Sequence, residues 1–405
     1  RRVVITGIGI LSCLGNTREN VARSLLEGRS GIELVPDRKA MGFRSALSGT
    51  LKDFEIPAVP KRYLNQMGQG GYLAVYVCRQ AIADAGLEES DIRNDRTGVF
   101  IGNGGNFLDI YEQCHDFHDR HRRLGGNALQ RVMASSVSAN LSVLLGTRGR
   151  CLTVASACAS SASAVELGYQ FVRSGSQDLM LCGGVQEGTW AMHCNFDALR
   201  VFSRREHDPA KASRPFDKYR DGLVPSTGAG MLVLEDHNHA LSRGARIYAE
   251  LIGCGTNSDG WDMTVPSGTG SLDCMKAALE DARIRPEDVD YINAHATSTQ
   301  VGDSVEARAL RELFGNRPYV SSTKSMTGHE IGAAGCNELI YTLLMMEDGF
   351  IAPNINIEEV DPQCEGIRIA ENQFVAADIE IALSNSFGFG GVNTCIVLRK
   401  AEVRA

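Results

Sequence analysis

Three side chains able to share one reaction lie far apart in a chain of 405 residues: Cys158 in the run TVASACASSASA at 153–164, His295 in NAHATST at 293–299, and His329 in TKSMTGHEIGAAG at 323–335. A thiolate is a nucleophile that can hold an acyl group as a thioester, and imidazole nitrogens can donate hydrogen bonds to a second thioester or move its protons. Each of the three has small neighbours, so a substrate carbonyl can come close to the backbone. Cys158 is expected at the first turn of a helix, where free N–H groups and the positive end of the helix dipole favour thiolate over thiol. One thiol and two imidazoles in such settings are what an enzyme handling thioesters needs.

Other residues fit around these. Lys324 precedes His329 by five positions and is placed to tune it, with Glu306 as the expected partner of the lysine. Thr297 and Thr299 offer hydroxyls to an amide-rich substrate arm. The turn SNSFGFGGVN at 384–393 supplies backbone N–H groups for a developing oxyanion, and Phe387 and Phe389 an aromatic gate for an apolar chain. Cys13, Cys78, Cys182, Cys254 and Cys395 read as small core residues.

The elements that must bring these residues together come in two copies. AIADAGLEESDI at 81–92 and ALEDARIRPEDV at 278–289 each close an amphipathic helix and lead through an acidic turn into a short apolar strand. VVITGIG at 3–9 is echoed by IYAELIGCG at 247–255, and the small-residue helix near Cys158 by one near His329. A duplicated α/β unit follows, with a nucleophile-bearing half at 1–245 and a half at 246–405 that carries both histidines. Apolar strands such as LMLCGG at 179–184 alternating with helices imply mixed or parallel sheets covered on both faces, a layered α/β sandwich.

Composition closes several other routes. A net charge of −8 excludes a general nucleic-acid binder. No apolar run reaches the ~18 residues of a membrane span. The opening RRVVITGIGIL has the basic start and apolar run of a signal peptide, but its glycines and β-branched residues read as strand and turn. The chain opens on Arg1 without a methionine, so the native start is expected upstream. Twelve cysteines without CxxC spacing indicate reduced thiols in a cytoplasmic protein. GIG at 7–9 lacks the third glycine of a dinucleotide fingerprint. In CHDFHDRH at 114–121 the histidine spacing spreads would-be zinc ligands around a helix. A cysteine protease would leave His329, Lys324 and the FGFGG turn without a role.

Taken in order, VVITGIGILS, SACASS, ASRPFDKYRDG, NAHATST, TKSMTGH and NSFGFGG resemble the β-ketoacyl-acyl carrier protein synthases, condensing enzymes of the thiolase superfamily. GFRSALSG at 42–49 and GFIAPNINIEE at 349–359 are most similar to the synthase I branch. The resemblance implies a five-layered αβαβα sandwich. It also implies that Cys158 takes the acyl group, that N–H groups of Cys158 and Phe389 form the oxyanion hole, and that His295 and His329 steady the enolate left when a malonyl thioester loses carbon dioxide. No redox cofactor is implied, only the phosphopantetheine arm of the acyl carrier protein. The resemblance further implies a structural monovalent cation at Asn293, Glu338, Ser384 and Asn385, and carrier docking at Lys61, Arg62, Arg122 and Arg131. It implies a homodimer as well, in which Met133 reaches towards the partner's acyl pocket.

The chain departs from the family pattern at Ala296, at Asn65, along 224–227, and at Glu330, which either adds basicity to His329 or faces solvent. These departures leave two further readings beside fatty-acid elongation: a specialised ketosynthase of a polyene or polyketide pathway, and a partner subunit like a chain-length factor. Retention of Cys158 and both histidines argues against the second.

Overall fold

Val3–Leu11 is apolar except for Thr6 and buried at every position, as a strand covered on both faces must be. In the computed structural model, which describes residues 1–401, it forms strand β1. The first half continues with helix α1 (Gln69–Asp84), β2 (Thr97–Asn103), α2 (Ser136–Leu145), β3 (Cys151–Val154), α3 (Ser160–Arg173), β4 (Leu179–Gln186) and β5 (Gly228–Asp236). The second half follows with β6 (Ala249–Ser258), α4 (Gly270–Ala282), β7 (Tyr291–Asn293), α5 (Gln300–Phe314), β8 (Tyr319–Ser321), α6 (Ala334–Asp348), β9 (Ile381–Gly388) and β10 (Val392–Lys400).

The strand order is β3-β2-β4-β5-β1-β6-β10-β9-β7-β8, with the short strand Arg368–Ile369 added beyond β8. Read outwards from the middle, each half has the same order: its first strand, then its fifth, fourth, second and third. In each half only the fifth strand runs against its neighbours. The halves meet where β1 pairs antiparallel with β6, Val3 opposite Leu251 and Ile5 opposite Ala249. Repeated topology gives the repeated sequence segments a physical meaning: they are the first strand, first helix and second strand of each unit.

Helices α3 and α6 lie between the two halves, α3 against β2, β4 and β10, and α6 against β5 and β9. Helix α6 is buried from Ala334 through Met346, the all-round burial of a central helix. Helices α1 and α2 cover the outer face of the first half, α4 and α5 that of the second. The result is the five-layered αβαβα sandwich. Its middle layer is where the site forms, because α3 and α6 start from loops of opposite halves. The start of α3 presses on β2 so closely that a Cβ at Gly102 would lie 2.4 Å from the Ser160 carbonyl carbon.

Candidate active site

Cys158 stands in the tight turn Ala157–Ala159 that leads into α3, behind Ala157 at φ 49°, a conformation costly for a residue with a Cβ. The second half repeats the device: Ile331–Ala333 leads into α6, with Ile331 at φ 44°. The internal repeat therefore equates Cys158 with Gly332, and His329 lies in the loop just before. The N–H of Gly332 donates to Oε1 of Gln186 at 3.1 Å. Its counterpart at Cys158, together with the N–H of Phe389, is directed at the cysteine sulfur. Phe389 reaches that place because Gly388 packs against the cysteine turn; a Cβ there would lie 2.8 Å from the Ser156 carbonyl oxygen.

The sulfur of Cys158 and a ring nitrogen of each of His295 and His329 all lie within 4.8 Å of one another. The two rings stand edge to face, 84° apart with centroids 5.3 Å apart. Nδ1 of His329 accepts the Ile331 N–H at 3.3 Å, which puts the ring proton on Nε2, and Nε2 is buried without a partner among the described residues. His295 is held from behind: its backbone N–H donates to Oε1 of Glu306 at 2.9 Å, and Phe387 packs on its ring at 5.9 Å. Burial, and then the nearby charge of Lys324, push both imidazoles well below their ordinary range, so both rings are neutral.

The same burial works against a ready thiolate. Cys158 is 5% exposed, and its thiol is pushed up to about 11, chiefly by burial, with Lys324 and the N–H groups of Phe389 and Cys158 acting the other way. The helix terminus and cation favour ionisation, but desolvation is the larger effect.

Lys324 pairs with Glu338, not with Glu306 as expected. Glu306 instead accepts from His295 N–H and from Asn385 Nδ2 at 3.0 Å, a bracing role. Thr297 and Thr299 bond each other at 3.1 Å and, with Cys158, both histidines, Phe387 and Phe389, line a cavity of about 480 Å³. At the expected cation positions, Oε2 of Glu338, Oγ of Ser384 and Oδ1 of Asn385 are buried without partners among the described residues, while Oδ1 of Asn293 accepts from Thr323 at 3.3 Å. These are all oxygen donors, the set a hard cation takes.

Glu330 does not face solvent; it is buried on Tyr341, whose hydroxyl donates towards its carboxyl at 3.3 Å. The basic residues divide. Lys61 and Arg62 are exposed, Arg62 lying over the Tyr63 ring at 4.6 Å, and Arg122 is exposed 3.7 Å from Asp116. Arg131 is bound through Nε at 3.0 Å to the buried Asp109, so it serves the fold more than a free docking face. In the histidine run, His115 and His118 both bond Asp119, at 2.5 and 2.6 Å, and form no ligand cluster among the described residues.

Sequence reasoning missed three contributors. Gln186 is a polar side chain at the end of a buried strand, a position that demands a partner. Phe196 stacks on Phe389 at 6.0 Å. The departing segment at 224–227 frames His329: Val224 accepts its N–H at 2.7 Å, and Ser226 donates to its carbonyl at 2.9 Å.

Residues 1–240 match the β-ketoacyl synthase N-terminal domain and 248–358 its C-terminal domain. The chain is 43% identical to 3-oxoacyl-[acyl-carrier-protein] synthase 1 of Haemophilus influenzae, over 99% of both chains. A β-ketoacyl synthase from Burkholderia phymatum has the same fold with a TM-score of 0.95 at 36% identity, over 99% of this chain and 100% of that one. The ketosynthase of a type II polyketide synthase, solved with its acyl-carrier protein, aligns with a TM-score of 0.87 at 29% identity, over 99% and 100%. A thiol and two neutral imidazoles converging from the two halves of a repeated fold, and likeness over nearly the whole length, make one conclusion plain: the chain belongs to the β-ketoacyl synthase family.

Proposed function

We propose that this protein is an acyltransferase, a 3-oxoacyl-[acyl-carrier-protein] synthase that elongates acyl chains by decarboxylative condensation. The observation that carries this reading is the meeting of Cys158, His295 and His329 within 4.8 Å, beside two backbone N–H groups directed at the sulfur. Cys158 attacks an acyl thioester, the oxygen is held by the N–H groups of Cys158 and Phe389, and the carrier thiol leaves with the proton. Malonyl-acyl carrier protein then enters along Thr297 and Thr299. Nε2–H of His329 and the ring of His295 bond its thioester oxygen as carbon dioxide departs. The enolate carbon attacks the acyl-cysteine, and the sulfur leaves as the 3-oxoacyl product forms. Neutral imidazoles suit this step, because they donate without carrying a charge that must be desolvated.

The supporting roles follow. Lys324 favours the cysteine anion, Glu306 braces His295, and Phe387 and Phe389 gate the acyl chain. Asn293, Glu338, Ser384 and Asn385 would hold a structural monovalent cation; the buried orphan oxygens support that reading. Lys61, Arg62 and Arg122 would meet the acidic carrier protein. Strand β3 is a free sheet edge, and exposed Leu152, Val143 and Leu129 near it support a homodimer formed on that side, with Met133 turned to the partner. The boundary between the working halves is placed at 245/246. Twelve unpaired thiols support a reducing, cytoplasmic setting, and no helix among the described residues is long and apolar enough to cross a membrane.

The test is mass spectrometry after incubation with a panel of acyl-carrier-protein thioesters. Loading on Cys158 that disappears in Cys158→Ala is expected, and the acyl groups accepted separate fatty-acid elongation from a polyene or polyketide pathway. Wild-type protein that takes no acyl group would point to a chain-length-factor-like subunit and end the proposal.

A further inference from the structure

The helix Trp190–Ala198 carries two pairs of side chains four residues apart, on adjacent flanks. Met192 and Phe196 face the site: Met192 packs with Cys158 and Ile331, and the Phe196 ring lies 6.0 Å from that of Phe389, tilted by 21°. His193 and Asp197 face the segment 36–46 instead. Asp197 accepts the backbone N–H groups of Arg44 at 3.0 Å and Ser45 at 3.2 Å. Nδ1 of His193 lies 2.7 Å from Nη2 of Arg38, whose Nη1 donates to the Leu47 carbonyl at 3.1 Å.

Arginine can only donate, so Nδ1 of His193 is the acceptor, the ring is neutral, and its proton sits on Nε2. Arg38 is 4% exposed and has no ion pair among the described residues. A cation buried without an anion is costly, and an apolar pair of the same shape would cost less. What the two residues hold in place has to account for them.

They hold the end of a line of rings. The His193 ring stands edge-on to Phe202 at 6.4 Å and 88°, Phe202 stacks on Phe196 at 6.2 Å, and Phe196 stacks on Phe389. Phe389 needs that support, because Gly390 and Gly391 behind it take φ 82° and 70°, and its N–H has to stay directed at the Cys158 sulfur.

We propose that His193, fixed by Arg38, is a positioning residue: it sets the helix so that Phe196 keeps Phe389 in place, and through that N–H governs how fast Cys158 is acylated. This rests on the condensing-enzyme reading. A displacement of ~1 Å at such a donor can cost about a hundredfold in rate.

Hydrogen–deuterium exchange reads the link without reference to activity. In His193→Leu, exchange at 388–393 should quicken several-fold while the central helix α6 keeps its wild-type rate. In His193→Asn, whose side-chain oxygen takes the place of Nδ1, both should match the wild type. Unchanged exchange at 388–393 in His193→Leu, or quickening throughout the chain, overturns the proposal. Arg38→Met removes the donor from the other side; it is read the same way and stands in where His193→Leu does not fold.

The second measurement sets acylation of Cys158, by the thioester of the panel above that loads the wild type fastest, against alkylation by iodoacetamide, which develops no oxyanion. In His193→Leu acylation should fall between about tenfold and a hundredfold while alkylation stays within about twofold, and His193→Asn should restore the loss. Phe196→Leu should slow acylation by itself, with no further fall when His193→Leu is added. Equal falls in acylation and alkylation, or losses that multiply in the double variant, overturn the positioning role. Wild-type protein that is alkylated but takes no acyl group would instead strike the condensing reading, while the exchange result still decides the role of His193.

Discussion

The backbone N–H of Ile331 donates to Nδ1 of His329 at 3.3 Å, and this one bond decides which ring nitrogen carries the proton. The proton is confined to Nε2, a donor with no acceptor among the described residues.

His329→Ala removes that donor. One well-placed oxyanion donor is commonly worth ~3–4 kcal/mol in a transition state, so malonyl decarboxylation should fall by about two to three orders of magnitude while Cys158 still takes an acyl group. Single-turnover release of carbon dioxide, beside mass analysis of the acyl-enzyme, checks both halves. Loss of loading to the same degree would place His329 in the first step.

Lys324 and Glu338 form a buried pair, and Glu338 is nevertheless pushed up to about 7 because burial outweighs the attraction. Lys324→Ala leaves that carboxyl without its cation and should cost about 3–5 kcal/mol in urea unfolding. It should also slow acylation, since Lys324 is the charge that lowers the Cys158 thiol. A Lys324→Met, Glu338→Leu double variant should regain much of the stability and none of the rate.

Stability should depend on pH with a definite sign. Glu306, Glu330 and Glu338 are raised from 4.5 to about 7, 8 and 7, so the folded chain keeps protons that the unfolded chain has released, and stability falls as pH rises through that window. His193, His295 and His329 are lowered from 6.5, so they oppose further gain once pH drops below that value. Scanning calorimetry should show Tm rising from pH 8.5 to pH 6.5 and then levelling; a Tm that drops over that first interval contradicts the assignment.

The basic residues should separate in two assays. Lys61→Ala with Arg62→Ala should raise KM for carrier-protein substrates, lessen the effect of salt and leave unfolding unchanged, since both are exposed. Arg131→Ala should lower stability by about 1–3 kcal/mol, because Asp109 is buried and loses its charged partner. A KM effect from Arg131→Ala alone, at unchanged stability, would return it to the docking face.

Much of this was legible in the chain because chemistry and fold each left a local mark. The repeated helix-to-strand segments announced the duplication, and small residues around Cys158 and His329 announced close approach. What could not be read was the outcome of competition across space. Thiolate character at Cys158 depended on how deeply the turn was covered. The choice of Lys324 between Glu306 and Glu338 depended on which helix lay alongside. Arg131 looked like a surface charge until Asp109 proved to be buried beneath it.

Gln186 fills, in the second half, the position that the cysteine sulfur holds in the first. A fold built from two equal units thus keeps an open thiol at one helix start and closes the equivalent place at the other with a side-chain amide.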